Sequence, residues 1–511
     1  MSIIYTITAV LSAIWIVAAD CLPEATLASG IVIGTTTSIA SATATVNQFL
    51  GIPFAARPER FSPPTKPPAW TNPLNTSVQS PACTQQINYP ERKRYLTDLF
   101  FNNPQAEESE DCLYLNVFAP STAPPTGGYS VLFWIYGGSF RFGNAGQPLY
   151  DGSHFAAFEE VIIVAANYRT NVFGFPNSPE IPLTQSNLGF LDQRFALEWV
   201  RENIASFGGD PEKVTIFGQS AGATSVDALV TSWPDNPPFR AAILESGQSS
   251  VPLISDVGIN STESWVQLTT ALNCSSTTSN LSCVRSADAT TIQSIIEHAA
   301  LSFRPVIDNV TLIPVQDTAA ARAAHNVANV SIMAGTNGQE GRAWALIYGT
   351  TNLTKFLQEV PGMTPALQIA ITDAYPIGAF GTSNEFEVIA QIYTDLLDTC
   401  PQAAMISQSA SAGYPTWRYW YNATFANQQV LPDLAAYHSA EIAQVFTTYP
   451  PKFTAQQFAL SNYMRGAWAR FAKTPLAGPG WNAIDTFDGT DLGVLGTNGS
   501  SGVQYQGFKH V

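Results

Sequence analysis

The chain has 511 residues, 45% of them hydrophobic, and Lys+Arg 23 against Asp+Glu 39 leave a net charge of −16. It is long and apolar enough to bury a large core, and its acid surplus argues against nucleic acid and anionic membrane surfaces as partners. No linker, charge block, low-complexity run or internal repeat divides residues 20–511, so one compact unit is expected.

In chain order, residues Ser2 to Ala19 form an apolar stretch ending in Val17-Ala18-Ala19 before the polar Asp20. Small residues stand where a signal peptidase reads, so 1–19 is expected to be a signal peptide and the protein to be secreted. A membrane anchor is the rival reading, but the run is at the lower limit for spanning. Asn-x-Ser/Thr sequons at Asn75, Asn260, Asn273, Asn280, Asn309, Asn329, Asn352, Asn422 and Asn498 fit an exported glycoprotein.

Ile31 to Phe54 is rich in Ile, Val and Thr and reads as antiparallel edge strands. Arg57 to Trp70 is Pro-rich and basic and reads as extended loop. Cysteines occur at 21, 83, 112, 274, 283 and 400, too few for a disulfide scaffold and without the clustering that suggests zinc. Between Cys83 and Cys112, Tyr95, Leu96, Leu99, Phe100 and Phe101 gather apolar residues among charges. Residues 83–112 read equally as a lid over a site or as a surface loop anchored by its aromatics.

Apolar runs then recur at Val131 to Tyr136, Val161 to Ala165, Val214 to Phe217, Ala241 to Leu244 and Ser331 to Ala334. Continuous rather than alternating hydrophobicity implies strands covered on both faces, as in a parallel sheet between helices such as Asp192 to Ile204. The fold class is α/β.

The stretch Lys213 to Val226, KVTIFGQSAGATSV, sets Gly218-Gln219-Ser220-Ala221-Gly222 between an apolar strand and a segment of small residues. Strand, sharp turn and helix in that order form a nucleophile elbow, which lifts a serine hydroxyl above the end of a buried sheet. Two more turns follow strands. Gly137-Gly138-Ser139-Phe140 can aim backbone N–H groups into a cleft, and Gly335 to Glu340 delivers a carboxylate. A nucleophilic serine needs a base, and the histidines are His154, His298, His325, His438 and His510. In the order Ser, acid, His, His154 falls before Ser220 and His510 in the terminal tail. His438 is the best base if the acid lies between it and Ser220; His298 and His325 lose support if that acid is Glu340.

Glu110-Asp111-Cys112-Leu113-Tyr114-Leu115-Asn116-Val117, YGGSF at 136–140, NYR at 167–169, the serine stretch, GTNGQEG at 335–341 and YHSAE at 437–441 together resemble the type-B carboxylesterase/lipase family. That family includes cholinesterases, animal carboxylesterases and fungal lipases. The resemblance runs in the same order from about Ile31 to Trp481. It implies an α/β-hydrolase fold with a large, mostly parallel central sheet flanked by helices. It also implies a catalytic unit over 20–511, a carboxylic-ester hydrolase activity and no cofactor. Ser220 would be the nucleophile, His438 the general base and Glu340 its orienting carboxylate, with the N–H groups of Gly138, Ser139 and Ala221 as oxyanion hole.

The resemblance further implies disulfides Cys83–Cys112 and Cys274–Cys283, leaving Cys21 and Cys400 unassigned. It implies a structural ion pair between Arg60 and Glu110, and places Ser246 and Glu441 beneath the triad. The family usually has Gly at the position of Ser139, which here adds a side chain on the acyl side. The implied substrate is a small-molecule or lipid ester. A lid over 83–112 would bring contact with a lipid interface and make the protein a lipase or sterol esterase; a general carboxylesterase is the other reading. A cholinesterase is disfavoured because the Cys83–Cys112 loop has no Trp for a choline cation. A catalytically dead adhesion relative would have lost the serine or histidine, and both are present.

Overall fold

The computed structural model describes residues 22–87, 89–250, 262–275, 278–349, 351–360, 363–484 and 491–506. The expected signal peptide 1–19, Cys21, Asn260 and His510 lie outside the described residues.

The centre is an eleven-stranded sheet. In chain order its strands are β1 (Thr35–Thr37), β2 (Val46–Pro53), β3 (Tyr114–Pro120), β4 (Tyr129–Ile135), β5 (Val161–Ala166) and β6 (Gly209–Gln219). They continue as β7 (Ala241–Glu245), β8 (Ser331–Asn337), β9 (Thr416–Tyr421), β10 (Leu492–Leu495) and β11 (Val503–Gln506). Their spatial order is β11-β10-β9-β8-β7-β6-β4-β5-β3-β2-β1. From β5 through β4 and β6 to β10 every pairing is parallel, while β1, β2, β3 and β11 join antiparallel at the two edges.

Every residue of β4, β5, β7 and β8 is buried, as their unbroken apolar runs anticipate. At the middle of the core Trp134, Phe217 and Phe446 meet with ring centroids 4.8–5.7 Å apart. Each buried aromatic of this kind is worth about 1.5–3 kcal/mol of apolar burial. Helices around the sheet include α1 (Glu91–Phe101), α2 (Leu188–Asn203), α3 (Ala221–Ser232), α4 (Gly341–Tyr348) and α5 (Ala455–Lys473).

The fold is the expected α/β-hydrolase sheet. Four strands of the central sheet went unread in the sequence, Tyr114–Pro120, Thr416–Tyr421, Leu492–Leu495 and Val503–Gln506. The apolar residues between Cys83 and Cys112 lie largely on a regular helix, α1. Both implied disulfides are present, with Cα atoms 4.9 Å apart for Cys83–Cys112 and 5.6 Å for Cys274–Cys283. Cys400 is exposed and has no disulfide partner among the described residues. Arg60 grips Glu110 with both ends of its guanidinium, at 2.7 and 2.5 Å, and donates to the carbonyls of Val284, Arg285 and Ala287. That ion pair ties the base of the Cys83–Cys112 loop to the second disulfide loop.

Candidate active site

β6 runs straight into α3, and Ser220 at the junction has φ 58° and ψ −125°. A non-glycine residue holds such a backbone only where its surroundings enforce it. Here Ser220 N–H donates to the Glu245 carbonyl at 2.9 Å, and the Ser220 carbonyl accepts from Thr224 N–H at 2.9 Å. A Cβ on Gly222 would fall 2.0 Å from the Ile135 carbonyl oxygen, and one on Gly218 would fall 2.6 Å from it. Only glycine lets the elbow close on β4.

The turn after β4 packs against the same elbow. A Cβ on Gly137 would meet Ser220 Cβ at 3.0 Å, and Gly138 has φ 111° with no room for a side chain. Ser139 follows at φ 55°. The N–H groups of Gly138, Ser139 and Ala221 donate to no acceptor among the described residues. Ala221 also opens α3, so the positive end of that helix faces the same side as the serine.

Glu340 follows β8 and is fully buried. Its Oε2 lies 2.7 Å from His438 Nδ1, while its Oε1 accepts from Ser246 Oγ at 2.5 Å and from Asn337 N–H at 2.5 Å. A carboxylate that accepts on both oxygens fixes the proton of neutral His438 on Nδ1 and leaves a lone pair on Nε2. The atom that meets this lone pair is the side-chain amide nitrogen of Gln219, at 3.1 Å. No hydrogen bond joins Ser220 Oγ to His438 among the described residues. The structure therefore unites Glu340 with His438 directly, and brings the elbow to His438 through the residue before Ser220.

Beneath this pair lies a cluster of buried acids. Asn337 donates through Nδ2 to the Tyr437 carbonyl at 2.9 Å and to Glu441. Burial, with Glu340 and Glu245 nearby, pushes the Glu441 carboxyl up to about 8. Burial does the same for Glu245, also to about 8, although Trp468 Nε1 donates to it at 2.6 Å. Asp398 is fully enclosed, and burial followed by the charges of Glu340 and Glu441 holds it well above the usual carboxylate range. Its carboxyl, the Glu340 carboxyl and the His438 ring offer polar atoms within 4.8 Å of one another. Ser246 and Glu441 thus lie where the resemblance put them, whereas Asp398 carried no sequence signal.

Aromatic rings close the open side. Trp344, one turn beyond Glu340 on α4, has its ring centroid 5.1 Å from the His438 ring, and Phe101 at the end of α1 stands edge-on at 6.1 Å. Phe101 also meets Trp344 at 5.3 Å, and Phe100 meets Tyr437 at 5.9 Å. The other described histidines serve elsewhere. His298 stacks on Tyr89 at 4.2 Å, His325 faces Tyr414 at 5.5 Å, and His154 lies against Phe158 at 6.1 Å.

Residues 22–488 match the family model described as the carboxylesterase family. The chain is 32% identical over 460 residues to the para-nitrobenzyl esterase of Bacillus subtilis (strain 168), covering 84% of this chain and 86% of that one. It is also 32% identical over 464 residues to the acetylcholinesterase of Bungarus fasciatus, covering 84% of this chain and 75% of that one.

Proposed function

The chain belongs to the carboxylesterase family and is a carboxylic-ester hydrolase, and from that premise we propose that it works through an acyl-enzyme on Ser220, with His438 as base and Glu340 as its orienting carboxylate. The observation that carries this reading is the 2.7 Å bond between His438 Nδ1 and Glu340 Oε2, beside a serine elbow whose Gln219 touches the opposite ring nitrogen.

Ser220 Oγ attacks the ester carbonyl carbon as its proton passes to His438 Nε2. The negative charge that develops on the carbonyl oxygen is met by the N–H groups of Gly138, Ser139 and Ala221, and each such donor is worth roughly 10²- to 10³-fold in turnover. Glu340 stabilises the imidazolium without taking its proton. The imidazolium then protonates the leaving alcohol, and water activated by the same ring releases the acid. Replacing Ser220 by Ala abolishes p-nitrophenyl ester hydrolysis while the fold persists; retained turnover would overturn the assignment.

A lipase or sterol esterase is the second reading. Favouring it is α1, which sets Phe100 and Phe101 over Tyr437 and His438 inside the Cys83–Cys112 loop, as a lid would. Displacing such a lid would expose these rings to a lipid interface. Acyl esters of increasing chain length, assayed below and above their solubility limit, separate the readings. A rate jump at the interface marks the lipase, and short-acyl preference without one marks the carboxylesterase.

We further propose that the protein is secreted and carries glycans. The sequons at Asn75, Asn309, Asn329 and Asn352 support this, since all four side chains are exposed. Secretion of the intact chain with endoglycosidase-sensitive mass tests it, and retention in the cytosol would refute it.

A further inference from the structure

The lone pair that the mechanism needs is already engaged. His438 Nε2 accepts from the Gln219 amide at 3.1 Å, and both side chains are buried. The donor is assigned by the partner: Glu340 holds the proton on Nδ1, so only an N–H can satisfy Nε2. The other end of the same amide faces the oxyanion turn, because a Cβ on Gly137 would fall 3.1 Å from Gln219 Oε1. The amide thus lies between the His438 ring and the Gly137 turn. Consecutive residues, Gln219 and Ser220, compete for one lone pair.

We propose that Gln219 is a positioning residue that occupies the His438 lone pair in the empty site, so that Ser220 gains its base only when an ester displaces the amide. The proposal rests on the roles given above to Ser220 and His438. While the amide donates, the imidazole stays neutral and aimed, and the serine hydroxyl stays unactivated toward water and adventitious electrophiles. When the amide leaves, Ser220 Oγ–H donates to Nε2 in its place, and the proton moves along that bond as the C–O bond forms. The groups facing the ring are the carboxyls of Glu340 and Asp398, the Gln219 amide, and the rings of Phe101 and Trp344, with Glu441 one residue further out through Asn337. Gln219 is neutral, so an acid at its position would add charge on the Nε2 side, where none of these carboxyls makes its bond.

Two variants test this. Gln219→Met keeps length and removes the donor; Gln219→Glu keeps shape, removes the donor and adds charge. The first readout is the second-order rate at which a small arylsulfonyl fluoride modifies Ser220 at alkaline pH. Q219M reacts about two- to tenfold faster than wild type, the value of one hydrogen bond released. The second readout is the low-pH limb of kcat/KM for p-nitrophenyl acetate, which Q219E moves upward by about one unit because a carboxylate favours the imidazolium. A Q219M rate equal to or below wild type, or a Q219E limb that stays in place, overturns the proposal. If a variant does not fold, the wild-type protein labelled with ¹⁵N-glutamine decides. The Gln219 side-chain amide resonance shifts on sulfonylation of Ser220, and an unmoved resonance overturns the proposal. Failure of the underlying reading looks different, since Ser220→Ala would then keep its turnover or the reagent would label another residue.

Discussion

The ring of Phe101, at the last residue of the helix inside the Cys83–Cys112 loop, stands edge-on to the imidazole of His438 with centroids 6.1 Å apart at 84°. A loop pinned by a disulfide therefore ends its helix on the base of the candidate triad. The same ring rests on Trp344, which rests on His438 in turn. On the proposed mechanism, an ester held at Ser220 and His438 shares or displaces this aromatic wall.

Truncating the wall should change specificity more than chemistry. Phe101→Ala removes the ring without touching a hydrogen bond, so kcat for p-nitrophenyl acetate stays within about threefold of wild type. The ratio of kcat/KM for a long-chain ester to that for the acetate rises about tenfold, the scale on which an apolar pocket senses a single methylene. Steady-state kinetics on both esters check this; an unchanged ratio means that α1 is a passive cover.

The loop's anchor should matter for stability. Cutting the Cys83–Cys112 bond with paired Ser substitutions frees a long stretch of the unfolded chain and costs about 3 kcal/mol. Thermal unfolding followed by circular dichroism should show a lower midpoint. Esterase activity at 25 °C should survive, because β8, α4 and the His438 turn lie outside the loop. Loss of activity without loss of fold would instead tie the loop's geometry directly to the site.

Ser139 stands in the proposed oxyanion turn at the position where the resemblance implies a glycine. It holds φ 55°, a conformation that costs a residue with a Cβ roughly 1 kcal/mol or more. Ser139→Gly keeps the N–H and removes both strain and bulk. Turnover of small esters should be preserved, and kcat/KM for esters branched next to the carbonyl should rise several-fold. A tenfold loss on small esters would mean that the hydroxyl, and not only the backbone, contributes to catalysis.

How far the sequence could be read follows from where each signal resides. The elbow was legible because close approach of β6, α3 and β4 demands glycine at 218 and 222, a demand written locally. The parallel strands were legible because burial on both faces leaves unbroken apolar runs. Thr416–Tyr421 was not, because its burial is met by Trp, Tyr and an arginine, Arg418, rather than by aliphatic residues. Asp398 was illegible for a different reason. Nothing in its neighbours marks it, and its meaning arises only when a distant turn of chain lays it beside Glu340 and His438. Gln219 was in plain view inside the serine pentapeptide, but its contact depends on a histidine more than two hundred residues away.

Removing the carboxylate tests the triad from its far end. Glu340→Gln keeps the shape but offers His438 Nδ1 a donor or a weaker acceptor, so the ring loses its fixed tautomer. A fall of about 10⁴-fold in kcat is expected, as for the corresponding change in a serine protease triad. KM should change little. A loss below tenfold would take Glu340 out of the mechanism.

The buried acids set the pH dependence of stability. Glu441 rises from an ordinary 4.5 to about 8 in the folded protein, chiefly by burial and then by Glu340 and Glu245. The folded state therefore binds a proton that the unfolded chain has released once the pH passes 4.5. Its contribution to stability is complete below that value and is lost progressively up to about 8. Glu245 behaves in the same direction and window. The protein should accordingly melt at a lower temperature at pH 8 than at pH 5, beyond any change from its surface charges. Glu441→Gln removes one titrating group while its amide oxygen still accepts from Asn337 Nδ2. The variant should show a shallower fall in melting temperature between pH 5 and pH 8, and at pH 8 should match or exceed the wild type. A parallel fall in both proteins would mean that Glu441 stays ionised in the fold, held by Asn337 against its burial.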